Sequence, residues 1–264
     1  MDLKLAGKSA LVSGSTGGIG FAIAQSLAQE GASVIINGRS EERVKQAIDK
    51  INALAPKSKP SGIALDLSTR EGTEQLFQQL PAVDILVNNL GVYEPKAFGD
   101  ISDEDWLKIF EANVLSGVRL SRQYLPAMLK QDWGRIIFIS SESAVQIPVE
   151  MIHYGMTKTA QLAIARGLAE MTVSTGVTVN SVLPGPTRSE GVGDFVEKMA
   201  SDRGVDVAQV EKEFFESVRP SSLIKRFATS EEVAALVTYV SSPLSSATNG
   251  AALRVDGGVI RSIL

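Results

Sequence analysis

The sequence predicts an α/β fold in which a doubly wound parallel sheet of about seven strands carries helices on both faces. Short apolar runs alternate with segments of helical spacing along the whole chain, as when strands are joined by crossover helices. Most of these runs are continuously apolar, which is typical of parallel strands that are covered on both sides. A glycine-rich turn lies between the first run and the first helical segment.

The apolar runs predict strands at residues 9–13, 33–37, 62–65, 85–87, 135–139, 177–183 and 252–255. Helices are expected at residues 21–31, 41–54, from 68, 102–130, 151–174 and from 230. Ser68 and Glu71 have the spacing of a capping box, and Ser230 is the expected cap of the last helix. Residues 187–222 are polar and rich in glycine, which predicts weak helicity. No repeat or linker divides the chain, so residues 1–264 are predicted to form a single domain.

The composition indicates which kinds of ligand and which cell compartment to expect. The formal net charge of −4 offers no basic surface for nucleic acid, so a small-molecule substrate is expected. The absence of cysteine excludes thiolate catalysis and cysteine-based metal sites, and it fits a reducing compartment. No apolar run is long enough to span a membrane and no signal-peptide pattern is present, so a cytoplasmic protein is predicted, without a metal site.

Polar residues end several predicted strands and are candidates to face one crevice, because the carboxyl ends of parallel strands meet at one edge of a sheet. They are Asn37, Asp66, Asn88, Ser140 and Ser141. The glycines of the first turn, Gly14, Gly18 and Gly20, allow a tight turn and let backbone N–H groups approach a pyrophosphate at a helix N-terminus. The alternative for an isolated glycine cluster is a plain strand-to-helix turn.

Tyr154 and Lys158 are four residues apart, so a helix places both side chains on one face. A free phenol has a pKa near 10, and a neighbouring ammonium would favour its ionised form. With a serine from the end of the preceding strand, the pair would make a proton-transfer site. A lone pair of this spacing is equally compatible with a solvated helix face.

These motifs together resemble the classical short-chain dehydrogenase/reductase family. Residues 13–20 (SGSTGGIG) are similar to its TGxxxGxG turn, and residues 88–91 (NNLG) are similar to its NNAG motif, with Leu90 in place of Ala. Ser141 and residues 154–158 match its serine and YxxxK motif, and Pro184-Gly185 matches its turn after the sixth strand. The resemblance covers essentially the whole chain in the same order, and it implies a Rossmann-type fold.

The resemblance also implies the site residues. It makes Tyr154 the acid or base, with Ser141 bonding the substrate oxygen, Lys158 supplying the cation and Asn113 holding a relay water. The implied cofactor contacts are Gly14, Ser15, Gly18, Ile19, Gly20, Arg39, Asp66, Leu67, Asn89, Gly91, Tyr154, Lys158, Pro184, Gly185 and Thr187.

The end of the second strand predicts the cofactor. A carboxylate there would bind the ribose hydroxyls of NAD, but the chain reads Asn37-Gly38-Arg39. Arg39 is suited to the 2′-phosphate of NADP, so NADP(H) is predicted as the preferred cofactor and NAD(H) as the alternative. The competing interpretation of Arg39 is an exposed loop arginine.

The predicted function is therefore an NADP(H)-dependent oxidoreductase that interconverts a carbonyl and a secondary alcohol. The substrate is expected to be a 3-oxoacyl thioester or another small, partly apolar ketone. The alternatives are an NAD-dependent sugar or polyol dehydrogenase and a catalytically silent dinucleotide sensor or scaffold. The resemblance implies a homotetramer, with a dimer as the alternative.

Four further interpretations depend on local sequence. Residues 188–222 are predicted to form a substrate lid, whose aromatic and apolar residues are Phe195, Met199, Phe214 and Phe215. A carrier-linked substrate would need a basic docking patch, for which the candidates are Arg119, Arg135 and Arg166. His153 has no partner for metal binding and is predicted to pack in its helix or line the pocket. The cations of residues 219–227 (RPSSLIKRF) are predicted to be solvated surface.

Overall fold

The computed structural model describes residues 2–56 and 58–263. The side chain of Phe195, one of the predicted lid residues, lies outside this description. The strands in these ranges are β1 (Ser9–Val12), β2 (Ser33–Gly38), β3 (Ser61–Ala64), β4 (Ile85–Asn88), β5 (Gly134–Ile139), β6 (Val177–Pro184), β7 (Thr187–Arg188), β8 (Ala228–Thr229) and β9 (Ala252–Val255). The helices are α1 (Gly18–Gln29), α2 (Glu41–Leu54), α3 (Arg70–Gln79), α4 (Asp103–Phe110), α5 (Ser116–Lys130), α6 (Ile152–Glu170), α7 (Glu190–Arg203), α8 (Val207–Glu213) and α9 (Ser230–Val240).

Seven parallel strands form one sheet in the order β3-β2-β1-β4-β5-β6-β9. Successive side chains of a strand point to opposite faces, so each strand contributes to two apolar cores. One core packs the sheet against α1, α2 and α9, and the other packs it against α3, α5 and α6. The predicted doubly wound fold is confirmed. The strand order reverses between β1 and β4, which is where such sheets open a crevice.

The long helix predicted over 102–130 is interrupted. A π-helical turn, Glu111–Leu115, separates α4 from α5, and Asn113 lies at its centre. Single π-helical turns are frequent at functional sites, because the extra residue leaves backbone groups without their usual helical partners. The prediction of one continuous helix is therefore wrong at the position of Asn113.

Two predicted caps are also wrong. Thr69, not Ser68, caps α3, because the Ser68 hydroxyl donates a hydrogen bond of 2.6 Å to Asp66 Oδ1. Thr229, not Ser230, caps α9 and forms a capping box with Glu232. Both helices begin close to the predicted place, so these errors leave the architecture unchanged.

The segment 188–222 is more ordered than its composition predicts. It contains α7, α8 and a π-helical turn, Phe214–Val218. These elements bury their own apolar cluster, in which the ring of Phe215 lies about 5 Å, centroid to centroid, from those of Phe214 (5.0 Å) and Phe227 (5.1 Å). A short parallel pairing of β7 with β8 closes the segment at its base. None of the helices in the described ranges is long and apolar enough to cross a lipid bilayer.

Candidate active site

A cavity of about 690 Å³ opens at the carboxyl ends of β1 to β4, at the reversal of the strand order. Six of the predicted cofactor contacts line it: Gly14, Gly18, Arg39, Asp66, Asn89 and Gly91. The other predicted contacts lie outside its lining: Ser15, Ile19, Gly20, Leu67, Tyr154, Lys158, Pro184, Gly185 and Thr187. The cavity is therefore lined by residues that follow the carboxyl ends of β1, β2, β3 and β4.

The glycine turn has the geometry that an anion cradle requires. Gly14 and Gly18 adopt left-handed backbone angles, with φ of 62° and 55°. A Cβ on Gly20 would lie 2.4 Å from Asn89 Nδ2 and 2.5 Å from the Gly14 carbonyl, so only glycine fits. No side chain of the described residues caps α1, which leaves its first N–H groups available to a phosphate. The residues present fit the pyrophosphate of a dinucleotide.

Asn37 lines the cavity, as expected from its place at the end of β2, and its side chain also supports the glycine turn. Its side chain is fully buried and donates to the carbonyls of Ile63 and Leu65, while its Oδ1 accepts from the Gly14 N–H at 3.1 Å. Ser15 is likewise used internally, because its hydroxyl donates to the Val12 carbonyl and accepts from the Asn37 N–H. The hydrogen bonds of Asn37 and Ser15 therefore hold the glycine turn against the ends of β1, β2 and β3.

Two residues at the cavity mouth were not among the predicted contacts. Arg43 and Glu190 both line the cavity, and their charged groups lie 3.5 Å apart. Arg43 is four residues after Arg39, in the first turn of α2, a spacing from which the sequence could have identified it. Glu190 comes from the start of α7, and no local pattern links it to the glycine turn.

Other predicted contacts are used in packing. The Leu67 side chain is fully buried in the core. A Cβ on Gly185 would lie 2.5 Å from the Asp256 carbonyl, so this glycine allows the close approach of β6 to the end of β9. The Thr187 hydroxyl donates to the Gly185 carbonyl at 2.9 Å. These positions shape the sheet end beside the cavity.

Ser141, Tyr154 and Lys158 come together between β5 and α6. Lys158 Nζ lies 5.6 Å from the centroid of the Tyr154 ring. The Ser140 hydroxyl donates to the Lys158 carbonyl at 2.8 Å, so it is committed to holding α6. Ser141 is the serine whose hydroxyl acts on the phenol, since its hydrogen bonding lowers the pKa of Tyr154. A Cβ built on Gly91 would lie 3.4 Å from Lys158 Nζ, so the lysine adjoins the cavity at Gly91.

The proton affinities of this group are set mainly by burial. Burial raises the pKa of Tyr154 well above its usual value of 10.0, against a smaller lowering by the hydrogen bond with Ser141. Burial lowers the pKa of Lys158 from 10.5 to about 8. The Lys158 ammonium donates to the Ile139 carbonyl at 2.9 Å and to Gln161 Oε1 at 3.3 Å.

Asn113 is held by a network that the sequence did not reveal. Its side-chain Oδ1 accepts from the Val92 N–H at 2.7 Å, and its Nδ2 donates to the Val92 carbonyl and to Thr157. Its backbone carbonyl accepts from Gln161 Nε2 at 2.6 Å. Gln161 therefore bridges Lys158 and the π-helical turn, between Lys158 and Asn113, where a relay water was expected. Gln161 lies three residues after Lys158, and this spacing on one helix face was the signal in the sequence that could have identified it.

The predicted solvated surface at residues 219–227 is wrong at its first residue. The side chain of Arg219 is largely buried, and its guanidinium pairs with Glu142 at 3.2 Å and Glu150 at 3.3 Å. The interpretation failed because the partners lie about 70 residues earlier in the chain.

Two other local interpretations can be compared with the structure. Arg135 is buried and donates to the carbonyls of Gly134, Gly176 and Ser242, so it cannot belong to a docking patch. His153 is buried against Trp106, edge to face at 5.9 Å between ring centroids, which confirms its packing role. The described residues hold no histidine, cysteine or carboxylate cluster suited to a metal ion.

Comparison with known proteins gives consistent matches over the chain. A family model described as short chain dehydrogenase matches residues 8–200. The uncharacterized oxidoreductase YvaG of Bacillus subtilis is 52% identical over 100% of both chains. The 3-oxoacyl-[acyl-carrier-protein] reductase FabG of Aquifex aeolicus is 34% identical over 98% of this chain and 100% of its own. The structure of L-sorbose reductase from Gluconobacter frateurii, complexed with NADPH and L-sorbose, matches 100% of both chains with a TM-score of 0.91 and 30% identity.

Proposed function

The chain belongs to the short-chain dehydrogenase family and is an oxidoreductase, and from this premise we propose that it interconverts a ketone and a secondary alcohol with NADP(H). The observation that carries the proposal is the meeting of Ser141, Tyr154 and Lys158 between β5 and α6, next to the glycine-turn cavity at Gly91. A dinucleotide bound in that cavity would supply or accept the hydride.

In the proposed reaction the side chains manage the proton and the substrate oxygen. Tyr154 donates its proton to the oxygen in ketone reduction and accepts one in alcohol oxidation. Ser141 orients the phenol and the substrate oxygen by hydrogen bonding. Lys158 contributes a positive charge next to the phenol, and Asn113 together with Gln161 holds that lysine in place.

Tyr154→Phe tests the catalytic proposal. It removes the transferable proton and should abolish NADPH oxidation with a carbonyl substrate while cofactor binding persists. Unchanged turnover would contradict the role of Tyr154. Cofactor binding by the wild-type protein without turnover of any carbonyl or alcohol would instead favour a silent dinucleotide sensor.

The proposed preference for NADP(H) rests on the residues that follow β2. Gly38 stands where a carboxylate would be needed for NAD, and after it the cations Arg39 and Arg43, together with Ser40, line the cavity. The L-sorbose reductase that this chain resembles was solved with NADPH. Arg39→Ala should weaken NADPH binding at least tenfold and leave NADH binding little changed, as measured by fluorescence quenching. Lys45→Ala, which changes an exposed lysine of α2, is the control. Tighter binding of NADH to the wild-type protein would reverse the assignment to NAD(H).

A small, partly apolar ketone is the proposed substrate, including a 3-oxoacyl thioester. Tyr93 packs edge to face on Tyr154 at 6.2 Å and stays half-exposed, and Ile147 lies against the helix at Gly155, so the surroundings of Tyr154 are partly apolar. The segment 188–222 is proposed as the lid. A sugar or polyol is the second candidate, because L-sorbose reductase shares the whole fold. A panel of ketones, ketoses and free or carrier-linked thioesters, read by nicotinamide absorbance with both cofactors, separates these classes.

The proposal also covers the oligomeric state of the protein and its location in the cell. A homotetramer is proposed, with a dimer as the alternative, and light scattering of the purified chain distinguishes them. A cytoplasmic location is proposed from the absence of cysteine and is tested by cell fractionation.

A further inference from the structure

A buried ion pair lies directly against the predicted catalytic serine. Glu142 follows Ser141 in the chain, and the side chains of Glu142 and Arg219 are only 7% and 11% exposed. Glu142 Oε1 accepts from Arg219 Nε at 3.2 Å, and Arg219 Nη1 donates to Glu150 Oε1 at 3.3 Å. The arginine is therefore shared between two carboxylates, of which only Glu142 also contacts Ser141.

The two members of this pair come from different parts of the fold. Glu142 begins a short turn after β5, whereas Arg219 ends the π-helical turn Phe214–Val218 of the 188–222 segment. A buried carboxylate without a partner is strongly unfavourable. Docking of Arg219 therefore joins the end of this segment to the end of β5 and neutralises the charge of Glu142.

The hydroxyl of Ser141 is oriented by Glu142. It donates its single proton to Glu142 Oε2 at 2.5 Å, and its oxygen accepts from the Ser143 N–H at 3.1 Å. The hydrogen bond from Ser141 lowers the pKa of Tyr154, so it favours the ionised phenol, and it needs the same single proton. Glu142 therefore competes with the phenolate and with a substrate oxygen for the proton of Ser141.

The same pair acts on the phenol through its charges. The titratable groups that face Tyr154 are Glu142 from the turn after β5, Arg219 from the 188–222 segment, Tyr93 from the connection after β4, and Lys158 from its own helix. The carboxylate of Glu142 raises the pKa of Tyr154 and the guanidinium of Arg219 lowers it. Either partner alone would shift the proton equilibrium, and the two act in opposite directions, with the effect of Glu142 the larger.

We propose that Glu142 and Arg219 are a positioning pair that controls proton transfer at Ser141 and Tyr154 and makes it depend on the docking of the 188–222 segment. The inference rests on the proposed function. While Arg219 is docked, Tyr154 exchanges its proton readily. When Arg219 is withdrawn, the uncompensated charge of Glu142 keeps the phenol protonated.

The test is the pH profile of kcat/KM for alcohol oxidation, whose acidic limb reports deprotonation of the catalytic base. Glu142→Gln should move the midpoint of this limb to lower pH by about 0.5 or more, a change of about threefold in rate on the limb. Arg219→Met should move it to higher pH. Glu150→Gln removes the charge of the other carboxylate that pairs with Arg219, but it keeps the Glu142 charge and should leave the midpoint in place.

A double variant keeps the test decisive if Arg219→Met does not fold. Glu142→Gln with Arg219→Met removes both charges and should place the midpoint between those of the two single variants. Equal shifts in Glu142→Gln and Glu150→Gln, or an unmoved midpoint in an active Glu142→Gln variant, would overturn the inference. A wild-type protein that oxidises no alcohol and reduces no ketone would contradict the proposed function instead.

Discussion

Lys158→Met is expected to change how the free energy of unfolding depends on pH, because Lys158 is a buried cation. Its side chain is 4% exposed, and burial lowers its pKa from 10.5 to about 8. Between about pH 8 and pH 10.5 the unfolded chain holds a proton that the folded chain has released. Stability therefore rises with pH through this window, and below about pH 8 the contribution is constant because both states are protonated.

The magnitude follows from the two pKa values. Their difference corresponds to about 3 kcal/mol over the full window, at about 1.4 kcal/mol for each tenfold change in the equilibrium. From about pH 7.5 to pH 10 the wild-type protein should gain about 2 kcal/mol over Lys158→Met. The comparison cancels the titration of the other groups, since these are common to both proteins.

Urea denaturation of both proteins at several pH values measures the difference. Lys130→Met, which removes an exposed lysine at the end of α5, controls for the loss of a lysine charge. A difference between wild type and Lys158→Met that stays constant from about pH 7.5 to pH 10 would refute the reasoning. Loss of turnover in the same variant tests the proposed role of the ammonium separately.

Two further substitutions test the interior of the molecule. Gln161→Leu should lower the free energy of unfolding by about 1–3 kcal/mol, since it removes the buried hydrogen bonds that Gln161 forms with the Asn113 carbonyl and with Lys158. Gln146→Leu, at an exposed position, is the control in urea denaturation, and equal losses would contradict the bridge. Phe215→Ala should destabilise the apolar cluster of the 188–222 segment by about 3–5 kcal/mol and speed its hydrogen exchange, with Phe98→Ala at an exposed ring as control. Unchanged exchange in this segment would show that it does not depend on that ring.

Much of the sheet could be predicted because buried parallel strands leave a direct record in the sequence. The apolar run of β9 matches its predicted bounds, and β3 differs by one residue at each end. The run over 102–130 was predicted as one helix because a single extra residue barely alters helical spacing, and the π-helical turn at Asn113 was missed for this reason. The cap of α3 was missed because Ser68 and Thr69 are both good caps, and the choice depends on Asp66.

The site was predictable where its residues belong to short motifs. Gly14 and Gly18 adopt left-handed backbone angles, and Tyr154 and Lys158 share one helix face. The spacing of these residues is therefore enough to identify them as candidates. The assignment of Ser15 and Leu67 as contacts came from position in a motif. The structure buries both side chains, because their neighbours and not their spacing determine where they point.

The sequence by itself determined the alternation of strands and helices, the glycine turn and the order of the motif residues, since each depends on neighbours within one turn or one strand. Only the tertiary structure decided which charges meet across the chain. The pairing of Arg219 with Glu142 and of Arg43 with Glu190 joins segments more than 70 residues apart, and it depends on how the 188–222 segment packs against the sheet. Burial then sets the proton affinity of Lys158, because the cost of a charge depends on the surroundings that the complete fold provides.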